Sequence, residues 1–145
     1  CSSDLLDLDN ETMEFGYRNS VIKNRPYVVL QVSMRLQEGD REAILARMNE
    51  LTARRKEKQP LEYASAGSTF KRPEGHFAGK LIMDSGMRGA RIGGARVSEK
   101  HCGFVINDGT AVAADIAELI QEVIETVKEK FGVTLEPEVI FLGDF

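Results

Sequence analysis

Hydrophobic and polar positions along this chain fall into short, distinct periods. From Tyr27 to Leu36 the run YVVLQVSMRL puts Val28, Leu30, Val32, Met34 and Leu36 on one side and Gln31, Ser33 and Arg35 on the other. That period of two predicts a half-buried strand. Gly39 and Asp40 then open a helix predicted to run to about Glu57, with Ile44, Leu45, Met48 and Leu51 on one face. Asp40 is placed to cap it, the basic run from Arg54 to Lys58 suits the negative end of the helix dipole, and Pro60 stops it. A short helix is predicted near Ala78 to Ser85, closed by Gly86. Strands follow around Ala90 to Val97 and Gly103 to Asn107, before an Asn-Asp-Gly turn. The clearest stripe comes next: Ile116, Leu119, Ile120, Val123, Ile124, Val127 and Phe131 recur at helical spacing, with Gly132 where a C-terminal cap belongs. A last strand is predicted after Pro137, from Val139 to Leu142. Mixed strands and amphipathic helices of this kind give an α+β fold, and the apolar helix faces read as core.

The elements do not divide the chain evenly. The strand at Tyr27 to Leu36 has no evident partners, so residues 1–37 read as the strand-rich tail of a preceding domain and residues 38–145 as a more complete unit. A chain of 145 residues that is 42% hydrophobic and 29% charged can bury one ordinary core.

Charge narrows the partners. With 19 basic and 23 acidic residues the formal net charge is −4, which argues against a general nucleic-acid binder. The cations are nevertheless grouped, at Arg54, Arg55, Lys56 and Lys58, at Lys71 and Arg72, and at Arg88, Arg91, Arg96 and Lys100, so local positive potential for a small phosphorylated ligand is available. No apolar run reaches the roughly 20 residues of a membrane span. Cys1 and Cys102 have no metal-ligand spacing and read as reduced cytoplasmic thiols. The chain starts at Cys1 rather than methionine, which reads as a missing natural N-terminus.

Candidate chemistry concentrates in SAGSTFKRP, Ser65 to Pro73. A Gly-Ser-Thr cluster closed by proline is an ordinary surface turn. It is equally a place where Gly67 lets backbone approach a ligand, Ser68 and Thr69 offer hydroxyls, and Lys71 and Arg72 offer positive charge.

Four segments in order decide between these readings: FGYRNS at Phe15 to Ser20, RRKEKQPLEYASAGSTFKRPEGHFAGKLIMDSG at Arg54 to Gly86, RIGGARVSEKHCGFVIN at Arg91 to Asn107, and VKEKFGVTLEPEV at Val127 to Val139. Together they resemble the C-terminal part of the UDP-N-acetylenolpyruvoylglucosamine reductases, the MurB family, in its shorter branch. The resemblance implies a MurB-type substrate-binding domain over 38–145, helices packed on a small sheet, preceded over 1–37 by the remnant of an FAD-binding domain. It implies reduction of the enolpyruvyl ether of UDP-N-acetylglucosamine to UDP-N-acetylmuramate, in cytoplasmic peptidoglycan precursor synthesis, with NADPH as hydride donor and FAD as carrier.

Roles follow residue by residue from that resemblance. Ser68 matches the serine that donates a proton to the carbon beside the substrate carboxylate. Arg18 and Glu138 match the pair at the carboxylate itself. Lys58, Lys71 and Arg72 fall where the family contacts the nucleotide and its phosphates, His101 and Asn107 near the substrate, and Tyr17 beside the catalytic arginine. Read without the resemblance, Lys58 is a solvated helix end, Asn107 a turn residue and Glu138 a strand-edge charge. Two departures stand out. Ile140 occupies a position that is commonly basic in the family, and the glycine-rich flavin-binding segments of the family's N-terminal half are absent. The chain alone is therefore expected to be inactive and to hold FAD poorly, and a stand-alone sugar-nucleotide or anion-binding module is the alternative. A protein-interaction domain has only the amphipathic helices in its favour.

Overall fold

A computed structural model of the chain describes residues 5–143. Two compact units divide at Gly39 and Asp40. Cys1 lies outside the described residues.

The first unit is built from turns. Asp9 accepts the Thr12 N–H on its side chain at 2.8 Å and the Met13 N–H on its carbonyl at 3.1 Å, closing one turn. Gly16 and Asn19 exchange backbone hydrogen bonds of 2.9 and 3.2 Å, with Tyr17 and Arg18 at the tip between them. A 3₁₀ turn covers Val21–Asn24. The alternating run from Tyr27 to Leu36 forms no strand, and Val28, Leu30, Val32, Met34 and Leu36 are all exposed. The physical reason is that alternation selects a face but does not supply the neighbouring backbone that a ladder needs.

In the second unit α1 spans Arg41–Lys58. The Asp40 carboxylate accepts the Ala43 N–H at 2.7 Å, and Gln59 donates to the Arg55 carbonyl at 2.9 Å before Pro60 ends the helix. The apolar face of α1 is not core: Ile44, Leu45, Met48 and Leu51 are between 40% and 56% exposed. Among the described residues α1 packs on no other helix or strand of the unit. Its C-terminal end is held instead by Lys100 Nζ, which donates to the Lys56 carbonyl at 2.8 Å.

The core is a four-stranded antiparallel sheet in the order β1-β4-β3-β2, with β1 at Ala64–Ser65, β2 at Arg91–Ile92, β3 at Ala95–Val97 and β4 at Val105–Asn107. Ala64 pairs with Asn107, Asn107 with Ala95, and Ala95 with Ile92. The single strand predicted over 90–97 is thus a hairpin. Its bend is Gly93-Gly94, where a side chain on either residue would collide with the start of α3 or the loop before it. Ala95, Val97 and Val105 share one buried cluster with Leu119, Ile120, Val123 and Val127 of α3, which spans Ala113–Phe131. Burying aliphatic side chains of this size contributes about 1.5–3 kcal/mol each. Asp115 reaches back to the Val112 N–H at 3.1 Å, and Gly132, with φ of 69°, ends the helix by donating to the Lys128 carbonyl at 2.9 Å. The short α2, Ala78–Asp84, adds Leu81 and Ile82 to the core. Lys130 Nζ ties α3 to the end of α2 by donating to the Ser85 carbonyl at 2.6 Å.

Past α3 the chain returns with Leu135 buried. The strand predicted over Val139 to Leu142 does not form. Pairing falls a few residues earlier, where Pro137 bridges Phe70 and the flanking bonds are Lys71 N–H to the Glu136 carbonyl and Glu138 N–H to the Thr69 carbonyl, both 2.8 Å.

Candidate active site

The turn at Gly67 to Lys71 is the meeting point of three stretches. Gly67 has φ of 88°, a conformation that admits a side chain only under strain, and it leads into an exposed Ser68. Thr69 is only 2% exposed. Its N–H donates to the Gly103 carbonyl at 2.8 Å, its hydroxyl accepts the Val105 N–H at 2.9 Å, and its carbonyl accepts the Glu138 N–H. The hydroxyl that seemed available to a ligand is therefore consumed by β4. Phe70, 5% exposed, is the anchor beneath. Ser68 is thus presented outward by two neighbours that face inward, with the backbone of Glu138 hydrogen-bonded across from it. Glu138 is half-buried, its Oε2 shielded from solvent.

Cations flank the turn on one side. Lys71 forms an ion pair with Glu136. Arg72 lies over the Phe77 ring, 4.1 Å from its centroid, and its Nε donates to the His76 carbonyl at 3.3 Å. These residues line a polar cleft of about 420 Å³ that Val133 and Thr134 close from below. A second cleft of about 370 Å³, lined by Ala64, Thr69, Val105, Ile116 and Val139 among others, is mostly apolar.

The remaining predicted residues have the following places. Asn107 ends β4 and closes the next loop, its Oδ1 accepting the Gly109 and Ala111 N–H groups at 2.7 and 3.1 Å. It also lines the apolar cleft. His101 Nδ1 accepts the Gly103 N–H at 3.1 Å, and the ring meets Phe104 edge to face at 5.1 Å. Lys58 is the last residue of α1 and is exposed. Tyr17 and Arg18 belong to the first unit, where the Arg18 guanidinium lies 5.9 Å from the Tyr17 ring centroid and Arg18 itself takes φ of 52°.

Supporting residues escaped the sequence reading. The sequence singles out Thr69 only as a hydroxyl for a ligand, and nothing in the turn signals its bonds to Val105 and Glu138. Asp108 pairs with Arg91 and accepts from Thr110. The Thr110 hydrogen bonds foremost, then Arg91 and Arg96, hold its carboxyl below the usual carboxylate range. The Cys102 thiol is pushed up by burial, against a smaller opposing pull from Arg88. No cluster of metal-ligating side chains occurs among the described residues, and no helix there is long and apolar enough to cross a membrane.

Residues 59–142 match the family model described as UDP-N-acetylenolpyruvoylglucosamine reductase, C-terminal domain. The chain is 60% identical over 140 residues to the UDP-N-acetylenolpyruvoylglucosamine reductase of Lachnoclostridium phytofermentans, covering 97% of this chain and 45% of the relative. It is 54% identical over 142 residues to the enzyme of that name from Agathobacter rectalis, covering 98% and 45%. The crystal structure of the Thermus caldophilus enzyme, MurB, superposes with a TM-score of 0.71 at 38% identity, over 88% of this chain and 45% of that one. The chain thus spans less than half the length of these relatives. By the match over more than half of its length, it belongs to the UDP-N-acetylenolpyruvoylglucosamine reductase family, as its C-terminal α+β domain.

Proposed function

We propose that this chain forms the substrate-handling part of a reductase that converts UDP-N-acetylglucosamine enolpyruvate into UDP-N-acetylmuramate in cytoplasmic peptidoglycan precursor synthesis, with NADPH and FAD supplying hydride. On this reading residues 1–37 end the FAD-binding domain and 38–145 form the substrate-binding domain. The supporting observation is the Thr69–Glu138 backbone pairing, which joins the residue after Ser68 to the backbone of the half-buried Glu138.

The described residues do not fit a flavin site of their own. The carboxylates of Asp40 and Asp115 take N–H groups at the starts of α1 and α3, where a dinucleotide phosphate would need them free. The flavin belongs to the rest of the complete enzyme, and the chain by itself is inactive and retains FAD poorly.

The chain's own residues handle the substrate and its proton. Reduction at the terminal methylene of an enolpyruvyl ether leaves negative charge on the adjacent carbon, spread into the carboxylate. Arg18, as a fixed guanidinium, stabilises that charge where it develops, and Glu138 is the second group that the family resemblance implies at the carboxylate. The left-handed backbone of Arg18 supports this role, because strain of that kind in a non-glycine residue clusters at functional sites. The Ser68 hydroxyl then delivers the proton to the carbon. Lys71 and Arg72, lining the polar cleft, suit the diphosphate, and Tyr17, Lys58, His101 and Asn107 complete the substrate set that the family resemblance implies.

The test is Ser68→Ala in the complete enzyme. Reduction of the flavin by NADPH stays near normal, while its reoxidation by the enolpyruvyl substrate slows by about a hundredfold or more. Reoxidation within a few-fold of normal would remove Ser68 as the proton donor. The alternative that the charged cleft supports, a sugar-nucleotide-binding module without redox activity, would be favoured if the unsubstituted complete protein bound the enolpyruvyl substrate without passing electrons to it.

A further inference from the structure

His101 is held more tightly than a surface ligand needs to be. Its ring lies against two glycines. A Cβ on Gly79 would stand 3.2 Å from His101 Cε1, and one on Gly103 would stand 2.9 Å from it. Gly79 sits in the first turn of α2, where a residue with a side chain would otherwise favour the helix more. Phe104 closes a third side edge to face. The His101 N–H meets the Ser98 hydroxyl at 3.3 Å, and the His101 carbonyl accepts the Phe104 N–H at 3.0 Å. The exposed ring is turned so that Nδ1 accepts the Gly103 N–H.

That acceptor begins a hydrogen-bonded path to the site. His101 holds the Cys102–Gly103 peptide through its N–H; the carbonyl of the next peptide, on the far side of the Gly103 Cα, takes the Thr69 N–H at 2.8 Å, and the Thr69 carbonyl takes the Glu138 N–H at 2.8 Å. Ser68 is the residue next to the middle of that path. We propose that His101 is a positioning residue for proton delivery. Through Nδ1 it fixes the 101–104 turn, and through Gly103 and Thr69 it sets the spacing between the Ser68 hydroxyl and the Glu138 side of the site. The inference rests on the roles given above to Ser68 and Glu138. It adds that His101 acts through Nδ1, the nitrogen that accepts the Gly103 N–H.

Two substitutions separate the nitrogens. In His101→Asn the side-chain oxygen can stand where Nδ1 stands, keeping the acceptor for Gly103. In His101→Gln the amide reaches the place of Nε2 and the acceptor is lost. In the complete enzyme, reoxidation of reduced flavin is followed in a single turnover at saturating enolpyruvyl substrate, alongside the substrate concentration for half-maximal rate. The expected result is that His101→Gln slows the saturated rate by about tenfold or more, the scale of a modest misplacement of reacting groups, whereas His101→Asn keeps at least about a third of the parent rate and raises the half-saturating concentration. The opposite ranking, equal losses in both variants, or no loss in either would overturn the proposal. Ser68→Ala in the same assay distinguishes the two levels. If it slows reoxidation while the histidine variants follow one of the overturning patterns, only the positioning role fails. If Ser68→Ala has no effect, the reading of the turn itself fails.

Discussion

Thr69 holds Glu138 by a backbone hydrogen bond of 2.8 Å while its hydroxyl holds Val105 at 2.9 Å, so one buried residue joins the last stretch of the chain to the sheet. Thr69→Val keeps the shape and removes the acceptor, leaving a buried N–H unsatisfied. The expected cost is about 1 kcal/mol or somewhat more, read as a lower denaturant midpoint with an unchanged slope. Thr69→Ser, which keeps the oxygen, should lie nearer the parent. Equal stability of Thr69→Val and the parent would mean that water or a backbone shift takes over the Val105 N–H.

Gly94 is the tightest point of the β2–β3 hairpin. A Cβ there would meet the backbone of Thr110 and Ala111, which cannot swing aside as a flexible side chain would. Gly94→Ala should destabilise the protein by about 1–3 kcal/mol, a drop of several degrees in melting temperature. Gly109→Ala is the comparison with open space around the added carbon, although its φ of 106° still imposes backbone strain. A Gly94→Ala variant as stable as the parent would show that the 107–112 loop yields.

The polar cleft carries a prediction about binding. Lys71 is tied to Glu136, so its charge is partly spent within the protein. Glu136→Gln releases that charge and should tighten binding of the UDP-sugar substrate, whereas Lys71→Ala should weaken it by about tenfold, the scale of one charge-assisted hydrogen bond. Half-saturating substrate concentrations in the complete enzyme, measured at two salt concentrations, check both. If neither moves, the diphosphate does not lie in this cleft.

Cys102 gives a pH dependence with a definite sign. Burial raises its pKa above the ordinary 9.0, chiefly by desolvation, so the folded state prefers the neutral thiol more than the unfolded state does. The corresponding stability is fully present below the unfolded pKa and is lost as pH rises through it and on toward the folded value. Alkylation of Cys102 in the folded protein should therefore be slow at neutral pH and gain rate at a higher pH than a free thiol does. A free-thiol rate at pH 7 would show that the 101–104 turn opens readily.

Much of this fold is written in local sequence. The stripe from Ile116 to Phe131 and its Gly132 cap give α3 almost residue by residue, and Asp40 with Pro60 brackets α1. What the periodicity could not give is partnership. Val28 to Leu36 alternate as a strand does yet form no ladder among the described residues, and Ile44 to Leu51 form an apolar face that stays exposed, because a pattern states which side wants burial and not what arrives to bury it. Ala64 and Ser65 escaped notice because two residues have no period. At the candidate site, Ser68 stood out as a hydroxyl in a glycine turn, but its role, and any attention to Glu138, came only through family resemblance. Thr69 and Gly103, which bring their surroundings together, look like ordinary turn residues until their bonds are seen.

The threonine hydroxyl and the amide it accepts are separated by 36 positions, and the third strand of that junction comes from the far end of the chain. Closing such distant loops is entropically slow, so the junction forms late in folding, after the local helices. A nascent chain that has not yet delivered Glu136 to Glu138 can have its helices and most of its sheet but cannot have the site.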